Sequence, residues 1–271
     1  VHTAAVRQSF VVALKDVEEI WEVSYNPTAP EIPLGVIHDF QYREGAFAPG
    51  FLNPNRTVLE QPLDEFTFSS SQDELIASSP DATRLHIINL DVRRRIAKWE
   101  PVGGFRLGCS YVWHQGADDL MAVPSKTGNT LLFIDTLSGK EFARLQLPGS
   151  VQLIRSHESS RYLWAISSKN TTISDTLTVI DKTSLKAVSE LVPLPDKWIT
   201  HLGFSRDGKY LLASLAGSDG FVVVYNTLNM QEIKRIPIDE PNNIYNAQNS
   251  AKLTYGAHSI EPSTGRSHCT P

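Results

Sequence analysis

The stretch Thr130-Leu-Leu-Phe-Ile-Asp-Thr-Leu-Ser-Gly-Lys-Glu-Phe-Ala-Arg144 is the clearest indication of the fold of this 271-residue chain. An apolar strand leads into Asp135, a short polar turn follows, and a second strand then mixes charged and apolar residues. Asp and Asn suit the start of such a turn, because their short side chains hydrogen-bond to its backbone. The pattern occurs four times, with its marker residue at Asn89, Asp135, Asp181 and Asn226.

The four markers lie 46, 46 and 45 residues apart. A period of roughly 40–50 residues with four strands per repeat is typical of a β-propeller. No long stretch keeps the period of an amphipathic helix. The sequence therefore predicts an all-β fold of about five four-stranded blade units. Four of these units are complete and cover 65–100, 107–147, 151–192 and 198–238. A partial unit, which lacks its first strand, covers 9–40.

We interpret residues 1–271 as a single, partial propeller domain with a long loop insertion at 41–64. The insertion is rich in Pro and Gly, and a loop of this length in a compact repeat is usually functional or disordered. The strand-like run 252–258 is expected to complete the partial unit and close a ring. The chain starts at Val1, just before an apolar run, so we expect that an N-terminal portion is missing.

Composition excludes several classes of protein. The net charge of −5 gives no basic excess for nucleic acid or an anionic membrane surface. No apolar run approaches the roughly 20 residues that span a bilayer. Cys109 and Cys269 form no C-x-x-C pair, so the chain has no c-type haem attachment motif and no cysteine zinc site.

Candidate site residues lie near the strands that should line a central channel. Four of them are basic or imidazole side chains: Arg106, Arg155, His157 and His201. Glu158 follows His157, and His38 ends the partial unit beside the long loop. Such a set suits an anionic ligand, because Arg binds carboxylates in a bidentate manner and His exchanges protons near neutral pH. A single His on a strand is more often a hydrogen-bonded core residue, so the structure must show whether these side chains converge.

Several stretches are more particular than the repeat. They include Ser9-Phe-Val-Val-Ala-Leu-Lys-Asp-Val-Glu-Glu-Ile-Trp-Glu-Val-Ser-Tyr25, Leu59-Glu-Gln-Pro-Leu-Asp-Glu-Phe66, Arg155-Ser-His-Glu158, Glu232-Ile-Lys-Arg-Ile-Pro237 and Tyr245-Asn246. In these stretches the chain resembles the haem d1 propeller family, which includes cytochrome cd1 nitrite reductase and proteins of haem d1 biosynthesis. It is most similar to the dihydro-haem d1 dehydrogenase branch of that family.

The resemblance implies that this chain is the C-terminal part of an eight-bladed propeller. It implies haem d1 or dihydro-haem d1 as the cofactor and a periplasmic location. With such a cofactor, the candidate cofactor-binding residues are Arg106, Arg155, His38 and Tyr245, and the candidate catalytic residues are Glu158, His157 and His201, of which the last three match positions of the family. The implied partners are the tetrapyrrole itself and, among proteins, nitrite reductase or a c-type cytochrome. No metal ligand is assigned, because the family's proximal histidine comes from blades that precede this chain.

The sequence departs from the family pattern at Gly104-Phe-Arg-Leu-Gly108. Where the branch has Pro-His-Leu-Gly, this chain has Arg106 in place of the histidine. Guanidinium is permanently charged and neither ligates iron nor transfers protons readily. The departure is compatible with binding of a carboxylated macrocycle and puts redox turnover in question.

Several functions therefore stay open at the level of sequence. The leading one is oxidation of dihydro-haem d1 by the intact protein, as an oxidoreductase of haem d1 maturation. The alternatives are a non-catalytic tetrapyrrole carrier, a nitrite reductase d1 domain and a propeller for protein interactions, since a fold does not by itself fix a function.

Overall fold

The computed structural model describes residues 1–39, 44–100, 104–116, 118–126, 128–168, 175–217, 219–239 and 241. The chain divides into two compact bodies, Val1–Trp99 and Glu100–Pro271. Each body contains antiparallel sheets of four strands, and the first body also contains a sheet of two strands. Among the described residues, no helix is long and apolar enough to cross a membrane.

The first body has two four-stranded sheets and a two-stranded hairpin. Its strands are β1 (His2–Ala4), β2 (Ser9–Ala13), β3 (Glu19–Ser24), β4 (Ile32–Asp39), β5 (Glu44–Ala48), β6 (Pro54–Val58), β7 (Phe66–Phe68), β8 (Glu74–Ser78), β9 (Leu85–Asn89) and β10 (Arg94–Trp99). The first sheet has the order β1-β2-β3-β6, and the second has the order β10-β9-β8-β7. The hairpin β4–β5 is inserted between the third and fourth strands of the first sheet.

The second body has three four-stranded sheets, each built from consecutive strands. A single 3₁₀ turn, Leu107–Cys109, precedes the first of them. The strands are β11 (Tyr111–Gln115), β12 (Asp118–Pro124), β13 (Thr130–Asp135) and β14 (Glu141–Gln146), then β15 (Ser150–Arg155), β16 (Tyr162–Ser168), β17 (Asp175–Asp181) and β18 (Ala187–Leu191), then β19 (Trp198–Phe204), β20 (Tyr210–Ala216), β21 (Phe221–Asn226) and β22 (Glu232–Pro237).

The second sheet of the first body and the three sheets of the second body agree with the bounds predicted for the four complete blade units. Each marker residue ends the third strand of its sheet, and its side-chain oxygen accepts hydrogen bonds from two backbone N–H groups in the following turn. For Asp135 the donors are Leu137 and Ser138, at 2.9 and 2.7 Å. For Asn226 they are Leu228 and Asn229, at 2.9 and 3.2 Å. The repeat period therefore reflects one kind of hairpin turn, which the four sheets with a marker residue share.

Two expectations about the first sheet were wrong in detail. The partial unit 9–40 does have a first strand, because β1 pairs with β2. Within 41–64, where we expected a loop, the structure contains β5 and β6, and β6 supplies the outer strand of the first sheet. The run 252–258, which we expected to complete this unit, lies outside the described residues.

The core of the second body lies between neighbouring sheets. One cluster joins the third and fourth sheets, with Trp113, Phe133, Leu163 and Ile180 among its members. The other joins the fourth and fifth sheets, with Trp164, Leu202, Phe204 and Val223 among its members. The middle strand β13 is buried and apolar along most of its length, as expected for a sheet that is covered on both sides, whereas the outer strands β14 and β22 are largely exposed.

Candidate functional site

The strand register shows which residues of the inner strands β11, β15 and β19 are equivalent. On β16, Tyr162 pairs with the marker Asp181, and Trp164, two residues later, pairs with Arg155 of β15. Counting two residues on from the partner of the marker in the neighbouring sheets gives Tyr111 in β11 and Gly203 in β19 as the equivalents of Arg155. Arg155 therefore occupies a position at which the neighbouring blades have an aromatic residue and a glycine.

Arg155 is buried in the second body, with 4% of its surface exposed. Its Nη1 donates a hydrogen bond of 2.7 Å to the carbonyl oxygen of Ile154. Burial lowers its pKa to about 9, and the phenol of Tyr111 acts in the opposite direction. A desolvated guanidinium of this kind is costly unless an anion or strong acceptors stabilise it.

His201 lies on β19 within the electrostatic reach of Arg155. Burial, and then the positive charge of Arg155, lower the pKa of His201 to about 4. The imidazole is therefore neutral at pH 7, and one ring nitrogen can accept a proton or a hydrogen bond. Of the residues predicted from the sequence, Arg155 and His201 are brought together.

Lys182 is a second buried cation, and sequence reasoning missed it. It is 9% exposed, and its Nζ donates to the carbonyl oxygens of His157 and Ser160, at 3.0 and 2.8 Å. Nζ also lies 5.6 Å from the centroid of the Tyr111 ring. Burial lowers the pKa of Lys182 to about 8.

A signal for Lys182 was present in the repeat. Lys182 directly follows the marker Asp181, and the residues that follow the other three markers are buried: Leu90, Thr136 and Thr227. Thr227 Oγ1 donates to the carbonyl oxygen of Gly208 at 2.6 Å, as Lys182 Nζ does to Ser160. A lysine after the marker is therefore expected to be buried, and comparison of the repeats could have shown it.

The lowered pKa of Lys182 predicts a pH dependence of stability. The folded state binds fewer protons than the unfolded state between a pH of about 8 and the unfolded pKa of about 10.4, so the free energy of unfolding rises with pH in this window. We expect this increase in the free energy of unfolding to be on the order of 1–3 kcal/mol and to be absent in Lys182→Thr, which introduces the residue found after Asp135 and Asn226. Urea unfolding of both proteins at about pH 7 and about pH 10.5 measures it. Identical pH dependence in the two proteins would contradict the burial of this ammonium group.

His157 and Glu158 lie in the turn between β15 and β16. His157 is half-buried; its Nδ1 lies 2.7 Å from Ser159 Oγ, and its ring centroid lies 6.1 Å from that of Phe204. Glu158 is exposed. Gly208 packs against this turn with φ of +70°, and a Cβ there would lie 2.5 Å from His157 Nδ1. Because Gly208 has no Cβ, the hairpin that contains it can pack closely against the side chain of His157.

Arg106 lies at the opposite end of the inner strands. It is half-buried before the 3₁₀ turn, and its Nη2 lies 3.4 Å from the Oγ of Ser150, the first residue of β15. Glu158 comes three residues after Arg155, the last residue of β15, and the six residues of that strand span about 17 Å. The structure does not place Arg106 and Glu158 at one point. Tyr245 lies outside the described residues, and of His38 only the backbone, in β4, is described.

Four-stranded antiparallel blades, one of which holds a buried arginine, Arg155, on its inner strand, define a β-propeller module. The chain belongs to the cytochrome D1 heme domain family, whose model matches residues 1–250. The family membership expected from the sequence motifs is therefore confirmed.

Individual relatives agree with this assignment. The chain is 32% identical over 259 residues to a dihydro-heme d1 dehydrogenase of Pseudomonas aeruginosa, covering 94% of this chain and 48% of that protein. It is also similar to the structure of the dihydro-heme d1 dehydrogenase NirN in complex with DHE, with a TM-score of 0.72, 30% identity, and coverage of 88% of this chain and 46% of that one. The chain thus spans about half the length of these relatives.

A more distant likeness concerns the fold alone. Hydrazine synthase of Kuenenia stuttgartiensis matches with a TM-score of 0.58 at 13% identity, covering 90% of this chain and 69% of that one. The sheet arrangement is therefore shared beyond the haem d1 proteins.

Proposed function

We propose that this chain is the tetrapyrrole-binding propeller of a haem d1 protein, and that the intact protein oxidises dihydro-haem d1 during haem d1 maturation. Support comes from family membership and from likeness to a dihydro-heme d1 dehydrogenase and to NirN, solved in complex with DHE. The proposal includes a periplasmic location, a role in denitrification, and nitrite reductase or a c-type cytochrome as protein partner.

One observation carries the binding proposal: Arg155, an almost fully buried guanidinium, lies on an inner strand with neutral His201 in its field. A carboxylate of the macrocycle would form charge-assisted hydrogen bonds with this guanidinium. The residues present therefore fit an anionic tetrapyrrole. Arg106, half-buried at the start of the inner strands, provides a second cation for another carboxylate.

Haem d1, when bound, supplies the redox chemistry, and the protein binds, orients and exchanges protons. In this proposal Arg106 and Arg155 hold carboxylates, and His38 and Tyr245 are further binding residues. Neutral His201 accepts a proton, and His157 and Glu158 exchange protons at the turn after β15. Arg106 lies beside the start of β15 and Glu158 comes after its end. In this proposal the two side chains therefore act on different parts of the macrocycle.

The binding proposal predicts a measurable effect of Arg106. Full-length protein reconstituted with haem d1 is expected to show a shifted visible spectrum, and Arg106→Ala is expected to weaken the binding at least about tenfold, because it removes a charge-assisted hydrogen bond. Arg235→Ala, on the outer strand β22 and paired with Glu232, is the matched control and should bind as the wild type does. No spectral shift in the wild-type protein, or equal affinity in Arg106→Ala, would refute the proposal.

The departure at Arg106 favours one second function, a tetrapyrrole carrier without turnover, since guanidinium replaces an imidazole that could transfer protons. Turnover of the dihydro-precursor by the full-length protein separates the two. An enzyme should lose about 10²-fold or more of its rate in His201→Gln while it still binds the macrocycle. A carrier should show the spectral shift and no turnover.

A further inference from the structure

A cavity of about 370 Å³ lies in the first body, between the outer strands of its two sheets. The end of β6, the segment that leads from β6 to β7, and strands β9 and β10 form its walls. Its floor is apolar, with Ile88 and Leu63 buried, while Val58 stands at its mouth with 71% of its surface exposed. Volumes of about 300–1,000 Å³ are typical of small-molecule sites in proteins.

The charged side chains around this cavity are mostly cationic. Arg94 and Arg95 line it, and Glu60 is the carboxylate among its lining residues. Arg95 Nη2 lies 2.8 Å from Glu60 Oε2, and Glu60 is largely exposed, so the pair is weak and open to competition. The excess of positive charge is local, because the whole chain carries a net charge of −5.

His86 provides a fixed polar group in the cavity wall. It is 2% exposed, and its Nε2 lies 2.7 Å from Gln61 Nε2. Burial, followed by the charges of Arg95, Lys98 and Arg84, lowers the pKa of His86, and Glu60 acts in the opposite direction. The positive charges of Arg95, Lys98 and Arg84 thus all act on the imidazole of His86.

The strand register explains why these groups share one face. On β9, His86 and Ile88 alternate with Ile87, so both point to the same side of the sheet. They pair with Lys98 and Arg95 on β10. An apolar floor, a buried imidazole and a cationic rim are therefore built into two neighbouring strands.

We propose that this cavity is a binding site for a small organic anion with an apolar body, such as an aromatic carboxylate or sulfonate. The apolar part packs on Ile88 and Leu63, and the anionic group contacts Arg94 and Arg95 in place of Glu60. Neither tetrapyrrole binding nor catalysis on the inner strands requires this site.

The test uses the full-length protein and 1-naphthalenesulfonate, with titration calorimetry as the measurement. We expect saturable binding that weakens as ionic strength rises. The uncharged analogue 1-naphthalenemethanol should bind at least about tenfold more weakly. Arg94→Gln combined with Arg95→Gln should weaken sulfonate binding at least about tenfold, and Val58→Trp, which fills the mouth from an exposed position, should abolish it.

Arg235→Gln is the matched control, because Arg235 also lies on an outer strand and pairs with a glutamate, far along the chain from this cavity. It should bind the sulfonate as the wild type does. Thermal unfolding of each variant checks that the fold is intact. The proposal is overturned if the wild type shows no saturable binding, or if the Arg94/Arg95 double variant and Val58→Trp both bind with wild-type affinity.

Discussion

Replacing Trp164 with alanine is expected to lower the free energy of unfolding by about 3–5 kcal/mol, the largest effect of any single change considered. Trp164 is fully buried on β16, and its ring centroid lies 6.3 Å from that of Tyr225 in the neighbouring sheet. It belongs to the cluster that joins the fourth and fifth sheets. Alanine would leave a cavity between two rigid sheets that cannot close it. Urea unfolding of the purified variant measures the loss.

Two matched variants make this prediction specific. Among the described residues, the Nε1 of Trp164 has no hydrogen-bond partner, so Trp164→Phe should cost less than Trp164→Ala, because it removes volume but no bond. Phe142→Ala, at an exposed position on β14, should change stability by less than about 0.5 kcal/mol. A loss below about 1 kcal/mol for Trp164→Ala would contradict the packing described here.

Asp181→Ala is expected to cost about 2–4 kcal/mol. Its Oδ1 accepts hydrogen bonds from the backbone N–H groups of Thr183 and Ser184, at 2.9 and 2.8 Å, and its carboxylate pairs with Arg161. Burial by itself would raise the pKa of Asp181, but the hydrogen bonds from Ser184, Arg161 and Thr183 outweigh it and hold the pKa below its ordinary value. Alanine would leave both N–H groups of the turn without this acceptor. Chemical denaturation measures the loss.

The repeat itself supplies the control for Asp181. Asn89 and Asn226 fill the same place in other blades and accept the same pair of bonds through Oδ1. Asp181→Asn should therefore cost less than about 1 kcal/mol, since it loses only the ion pair with exposed Arg161. Equal losses for Asp181→Ala and Asp181→Asn would show that charge, and not the acceptor oxygen, stabilises the turn.

The blades could be predicted because their signal is local. A marker such as Asp135 accepts hydrogen bonds from the backbone of residues two and three positions later, so the turn that it stabilises can be predicted from the sequence. The outer strand β6 was missed because a hairpin separates it from β3, its partner, by about 30 residues. The strand β1 was missed because three residues are too few to show an alternating pattern.

The candidate site was predicted only in part, because burial depends on neighbouring blades. The residues that flank Arg155 in the sequence do not indicate that it is buried, or that its charge acts on His201. The separation of Arg106 from Glu158 depends on strand register, which only the paired sheets define. The sequence does distinguish Lys182, because the residues that follow the other three markers, Leu90, Thr136 and Thr227, carry no charge.

The outer strands have a further consequence for how copies of this chain behave in concentrated solution. Within the described part of the chain, no strand pairs with the outer edge of β10, β14, β18 or β22, and an open edge is a template for intermolecular sheet growth. Charged side chains on β10, β14 and β22 oppose such growth, because a strand added at these edges would bury them. The strand β18, Ala-Val-Ser-Glu-Leu, has one charge and an exposed valine. Edge-to-edge aggregation is therefore least opposed at β18, and a lysine in place of Val188 is the change that would best protect it.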